Sequence, residues 1–257
     1  VTRTASGTEV PRTTPIVRAT LAQAAMELRL LVRSAESLLV TLGIPLGVLV
    51  FFSVVDVLPT GGEAPVDFLV PGVLAISVVA TGLVAVAIQT AFERKYAVLK
   101  RLGGTPLTRG AFLVAKGLSV AALLLVQTVL VVVVAVVGLG WQPGGGLLLA
   151  PLLVLLGALT STALGLLLAG TLRAEATLAA TNGLFLVLLV ISGVTFEAEA
   201  LPAPLAALGA LLPMGALRNA LDSALSGEGL AVEATLVLVA WGLVAVVVGS
   251  RRFRWEP

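Results

Sequence analysis

The chain has 257 residues, 58% of them hydrophobic and 12% charged, with a formal net charge of +2. Its mean hydropathy of +1.11 excludes a soluble globular protein, because a chain of this size cannot hide that much apolar surface. It has neither cysteine nor histidine, which excludes disulfide frameworks, thiolate and imidazole chemistry and histidine-ligated metal sites.

Roughly 37 mixed residues precede the first long apolar run. They lack the layout of a secretory signal, in which a short basic stretch leads directly into an apolar core. Within them, residues 15–37 read PIVRATLAQAAMELRLLVRSAES. At about 100° per residue, Val17, Leu21, Ala24, Leu28, Leu31, Val32 and Ala35 share one stripe, with Arg18, Arg29, Arg33 and Glu36 nearly opposite. This predicts an amphipathic helix with a basic face, lying along the inner membrane surface. A solvated arm is the plainer alternative; a stripe sustained for about five turns favours the helix.

Six apolar runs follow, over 38–58, 68–91, 112–139, 147–171, 177–196 and 234–250. A hydrocarbon core of about 30 Å takes about 17 to 25 helical residues, so each run predicts a crossing. The last is the shortest, with 17 charge-free residues between Glu233 and Arg251. Pro45 interrupts the first, which membrane helices tolerate. The runs are continuous and do not alternate with period two, so no barrel is indicated. The predicted fold is an all-α polytopic membrane protein. Residues 1–37 form a tail with the interfacial helix, 38–250 a single six-helix domain, and 251–257 a second tail.

With both termini in the cytoplasm, fifteen of the sixteen basic residues fall on the inner side, all but Arg218. Asp56, Glu63, Asp67, Glu197, Glu199, Asp222, Glu228 and Glu233 face outward. That asymmetry follows the positive-inside rule and predicts a multi-pass inner-membrane protein of bacterial type with cytoplasmic termini.

Six basic residues crowd the segment after the second run: Arg94, Lys95, Lys100, Arg101, Arg109 and Lys116. Phe92, Tyr96, Leu99 and Leu102 keep helical spacing there, while Lys95, Lys100 and Arg101 turn away. Gly103 and Gly104 read as a helix stop, and Thr105 and Pro106 as a restart. The expectation is a short helix from Phe92 to Leu102 in the plane of the inner surface, charged side to the cytoplasm. Basic inner loops also serve simply to fix orientation.

Inside the spans the polar residues are mild, and most read as helix-to-helix contacts. Gln127 and Asn182, the larger ones, are candidates for lining a path. A path walled mainly by Leu, Val and Ala suits an amphiphilic or lipid-like cargo. Gly43 and Gly47 stand four apart and permit a close dimer seam. The span centres carry no charge, which argues against the main alternative, an ion-coupled secondary transporter or channel. No Ser-Lys or Asp-Asp pair lies within a span, so a membrane hydrolase is disfavoured. Between the last two runs, residues 197–230 hold an apolar stretch of about 18 Å, Leu201 to Leu212, too short to cross. Pro213 breaks it, and Arg218 and Asp222 stand four apart on the following piece, able to pair. This predicts an outer re-entrant hairpin; two helices resting on the outer leaflet are the alternative.

The order of residues in the basic segment adds to this. Glu93, Arg94, Leu99, Lys100, Arg101, Leu102, Thr105, Pro106, Leu107, Arg109, Phe112, Leu113 and Lys116 closely resemble the signature of type-two ABC exporter permeases. Ala97 and Val98 depart from it, where many members carry Gly-Thr. The likeness extends over the basic N-terminal helix, the six spans and the outer hairpin. It implies that residues 92–109 form a coupling helix seated on a separate ATPase subunit, together with part of the N-terminal helix. By position, Glu93, Arg94, Lys100, Arg101 and Arg109 would make polar contacts there, and Tyr96 and Leu99 would pack. The resemblance also implies a second permease copy, identical or a sister chain, and no nucleic acid. The chain's three lysines each lack the preceding glycine that a GxxxxGK[ST] phosphate loop requires. No enzymatic site or bound cofactor is therefore expected in this chain; ATP and Mg would be bound by the partner.

Overall fold

The computed structural model describes residues 16–34, 38–55, 64–102, 108–194 and 201–252, apart from the side chains at 31, 101, 102 and 109. The Gly103–Gly104 stop and the Thr105–Pro106 restart lie outside the described residues, as do the acidic positions Asp56, Glu63, Glu197 and Glu199.

Every described element is helical. The first two are α1, Ile16–Arg33, and α2, Leu39–Val54. Helix α3, Pro65–Lys95, is followed by the single turn and a half of α4, Val98–Leu102. Helix α5, Arg109–Val133, continues through a π turn at Val134–Gly138. Next come α6, Leu149–Thr171, and α7, Ala174–Ile191. Then follow α8, Ala203–Leu211, α9, Pro213–Ser226, and α10, Val232–Arg252. Five helices, α3, α5, α6, α7 and α10, are long and apolar enough to cross a membrane. Helix α2 is shorter, and the run expected over 38–58 continues past it into residues outside the described part.

The shortest predicted span becomes a full 21-residue helix because α10 extends into its charged flanks. Glu233 lies in its first turn and Arg251 and Arg252 in its last, the charge order that a helix dipole favours. Helix α3 has 31 residues, about 46 Å at 1.5 Å per residue, longer than a hydrocarbon core. Its ends project, with Asp67 near one and Glu93, Arg94 and Lys95 at the other.

Helix α6 is the hub, packing against α3, α5, α9 and α10. Its sequence explains the role: Gly157, Ala158, Thr160, Ser161, Thr162, Gly165 and Gly170 are all buried, and small residues let membrane helices approach closely. At Gly165 a Cβ would lie 2.7 Å from the Leu83 carbonyl oxygen, and at Gly82 of α3 it would lie 2.8 Å from Ser161 Cβ. Backbones therefore touch where α3 and α6 cross, within the π turn of α3 at Ala80–Ala85. Thr160 Oγ1 donates to the Leu238 carbonyl of α10, 3.1 Å, one of the helix-to-helix contacts expected of such residues.

Helices α8 and α9 meet at 86°, with Pro213 in the first turn of α9. Met214, Leu217 and Leu221 of α9 are fully buried, among α3, α6 and α10. The Arg218–Asp222 pair expected from the spacing is present at 3.8 Å. Arg218 also stacks 4.9 Å from the ring centroid of Phe68 on α3, a cation–π contact that fixes α9 to the N-terminal end of that helix. Trp141 Nε1 donates to Asp67 Oδ1 nearby, 2.8 Å.

Gly165→Ala should destabilise the protein by about 1–3 kcal/mol, since backbone is the atom that must yield. Thermal unfolding in detergent measures this, with the open position Gly183→Ala as the neutral control.

Candidate functional site

The chemistry-bearing side chains gather where α3 ends. The sequence predicted one helix from Phe92 to Leu102. Instead, α3 runs through Lys95, turns at Tyr96 and Ala97, and the chain restarts as α4. The break falls on Ala97: its φ is +58°, the left-handed region that costs a residue with a Cβ roughly 1–2 kcal/mol. Glycine takes that conformation freely. The departure from Gly-Thr at 97 and 98 thus falls on the bend itself. The described part of α5 begins at Arg109, where Thr108 caps it by accepting from the Ala111 amide, 3.2 Å.

Three consecutive charges at the end of α3 take three different partners, because successive residues project about 100° apart. Glu93 Oε1 accepts from Lys116 Nζ of α5 at 3.1 Å and from Gln89 Nε2 at 2.8 Å. The same ammonium reaches Glu27 Oε2 of α1 at 3.2 Å. Gln23 and Gln89 also donate to Glu27, at 3.0 and 3.3 Å. Lys116 is only 2% exposed and Glu27 5%. One ammonium between two carboxylates thus joins α1, α3 and α5, and Glu93 Oε2 remains buried without a hydrogen bond.

Arg94 turns the other way and is buried, donating to the Leu172 carbonyl. That carbonyl is at the C-terminal end of α6, one of the groups a helix leaves without an internal partner, and a guanidinium suits the negative pole there. Lys95 projects outward and pairs with Glu175 in the first turn of α7. Its ammonium lies 5.6 Å from the ring centroid of Phe92 and 5.9 Å from that of Tyr96. Beneath these pairs, Ala91, Ala169 and Ala174 close together, with Phe92 packed on them.

Of the short helix, Leu99 is fully buried, while Tyr96 is 66% exposed and Val98 and Lys100 are exposed. Helix α1 packs along α5 through Thr20, Gln23, Ala24 and Glu27, all buried, and leaves Val17, Leu21 and Val32 exposed.

A family model described as ABC-2 type transporter matches residues 19–225. The chain belongs to the ABC-2 type transporter family. A comparison with curated proteins finds no match. The matched model is that of a membrane domain, so the chain is an ABC permease component embedded in the membrane, distinct from a nucleotide-binding domain.

In this ABC-2 permease the seven residues expected at an ATPase interface are not on one surface. Tyr96 and Lys100 are exposed, Glu93, Arg94 and Leu99 are turned into the chain itself, and the side chains of Arg101 and Arg109 lie outside the described residues. Gln127 and Asn182 are not brought together. Gln127 of α5 is buried and donates to Ser77 Oγ at 2.7 Å, and Asn182 of α7 is exposed and donates to its own helix at Leu178, 2.8 Å.

A cavity of about 620 Å³ opens between α2, α3 and α7. Its walls include Val40, Ile44, Phe52, Val73, Phe185 and Leu189, with Thr41, Ser77 and Thr81 supplying hydroxyls. Neither Gln127 nor Asn182 lines it, although Gln127 stands one hydrogen bond behind Ser77. Sequence reasoning missed Glu27 and the inward turn of Lys116. The available signal was a polar series at helical spacing, Thr20, Gln23 and Glu27, on a helix already sorted into apolar and basic faces.

Lys116→Met should destabilise the protein by about 3–5 kcal/mol by leaving two carboxylates face to face without a counter-ion. Adding Glu27→Gln and Glu93→Gln should restore most of the loss in thermal unfolding. Ala97→Gly should raise the unfolding midpoint modestly, and Ala97→Val should lower stability by more than about 1 kcal/mol, because a β-branched residue resists positive φ more strongly.

Proposed function

We propose that this permease is the membrane half of an ATP-driven exporter. It works with a second copy or a sister chain, and with separate ATPase subunits that bind ATP and Mg. The single observation that carries the reading is the surface at the α3–α4 bend. Lys95, Tyr96, Val98 and Lys100 are exposed together, on a segment whose neighbours Glu93 and Arg94 are fastened to α1, α5 and α6. A partner that pushes on the bend therefore pushes on three helices at once. Exposed lysines on such a surface fix register and partner choice more than raw affinity. Glu93, Arg94 and Leu99 then act from inside the chain, holding the docking face in position. Arg101 and Arg109 complete the polar set that the resemblance implies.

The distribution of basic residues supports cytoplasmic termini and a bend on the inner side of a bacterial-type plasma membrane. In that orientation α8 and α9 form the outer re-entrant hairpin, anchored by Pro213, Arg218 and Asp222. The apolar cavity beside α2 supports an amphiphilic or lipid-like cargo, since it has the size of ordinary small-molecule sites and no charged wall residue. The same lack of charge favours ATP-driven over ion-coupled transport. Val40, Ile44, Phe51 and Val54 are exposed along one side of α2. Gly47 lies among them with open space at its Cβ position, which supports a dimer seam there.

Charge reversal at Lys95 and Lys100 should cut co-purification of an ATPase subunit at least tenfold while the permease keeps its unfolding midpoint; unchanged recovery and coupling would remove the docking assignment. ATP hydrolysis by the reconstituted complex should rise with hydrophobic drugs or lipids. Stimulation by hydrophilic sugars alone would overturn the cargo class, and gradient-driven transport without ATP would favour the secondary transporter.

A further inference from the structure

We propose that α1 is a binding surface for anionic phospholipid headgroups of the inner leaflet. This rests on the proposed orientation, with α1 on the cytoplasmic side, and stands apart from the cargo and the ATPase.

Three observations carry it. First, α1 cannot choose its own orientation, because its polar seam is fixed. Gln23, Ala24 and Glu27 are buried against the bundle and Glu27 is held by Lys116. Second, the flanks of that seam are apolar and uncovered: Val17 is 70%, Leu21 57% and Val32 49% exposed in a stripe on one side, and Met26 45% and Leu30 58% on the other. An ordered helix with such a stripe at the edge of a membrane bundle dips that stripe into the headgroup–acyl boundary. Third, Arg18, Arg29 and Arg33 are exposed and fall about 100° beyond the stripe, on the side away from the seam. With the stripe in the membrane, long arginine side chains there reach back to headgroup height.

The charge balance selects the lipid. The only acid on α1 is Glu27, and it is buried in the ionic cluster. Among the described residues of α1, the uncovered surface therefore presents three guanidinium groups and no carboxylate. Guanidinium binds phosphate through paired hydrogen bonds, and the cytoplasmic leaflet is where anionic lipids attract basic segments. An acidic protein face would account for the arginines but not for the apolar stripe beside them. A zwitterionic surface would accept the stripe and gain nothing from the arginines.

The absence of cysteine makes the test clean. The full-length Leu21→Cys protein, carrying a nitroxide on its single thiol, is reconstituted in phosphatidylcholine vesicles with or without ~30% phosphatidylglycerol. Immersion of the label is read from its collision rates with oxygen and with a water-soluble nickel chelate. Phosphatidylglycerol should increase immersion, and high salt should reduce the increase. Replacing Arg18, Arg29 and Arg33 by glutamine should remove the advantage, about fivefold in the ratio of inserted to free helix per arginine. The corresponding lysine variant should keep most of it and reports that the fold is intact. Equal immersion in the two vesicles, or an increase that survives the glutamine variant, overturns the proposal. Protection of the label that appears only when an ATPase subunit is added overturns it as well, and assigns the surface to a protein.

Discussion

A single ammonium group, that of Lys116, sets the arrangement where α1, α3 and α5 meet. Removing it from water is costly, and the cost is offset only because Glu27, Glu93 and their amide donors Gln23 and Gln89 come to it from two other helices. Such a cluster adds little net stability compared with a well-packed apolar core. It adds specificity instead, since any other rotation of α1 or α3 would leave a buried charge alone. The alternative placements are therefore penalised far more than the observed one is rewarded.

From that point, force has defined routes into the membrane. Glu93 leads to α1 and α5, Arg94 to the end of α6, and Lys95 to the start of α7. Helix α6 in turn meets α3 again, backbone to backbone, at the Gly82–Gly165 crossing. Helix α3 is thus held at both its C-terminal end and its middle by elements that also contact one another. A displacement at the bend is shared among them, whereas α2, which packs along α3, borders the cavity and has a long uncovered side.

Five of the six expected spans, α3, α5, α6, α7 and α10, were legible in the sequence because long charge-free runs leave little choice in a bilayer. The family was legible from the order of residues in the basic segment, but not the break at Tyr96 and Ala97. What escaped were contacts between distant positions. Lys116 and Glu27 are 89 residues apart, and each looked ordinary in its own neighbourhood, one as an inner-side charge and the other as an acid at the border of an amphipathic helix. Two faces were assigned to α1 where three exist. Ala97 was marked as an unusual residue, but its left-handed backbone cannot be read from a side chain that normally avoids it. Gln127 and Asn182 were grouped by size and polarity; burial separates them, since one faces the bundle and the other the surroundings.

The π turn at Ala80–Ala85 bears on how α3 can be altered. A turn closed over five residues holds one residue more than an α turn, so the surplus is absorbed locally while both flanks keep their facing. Counting straight through at about 100° per residue therefore misplaces everything after Ala85 by one position. The same geometry makes the turn a phase buffer: a one-residue deletion inside it would return an ordinary α turn and leave Glu93, Arg94 and Lys95 aimed as before. A deletion a few residues later, beyond Ala85, would rotate all three away from their partners. Length variation in this helix is thus tolerable at one level of the membrane and disruptive just below it.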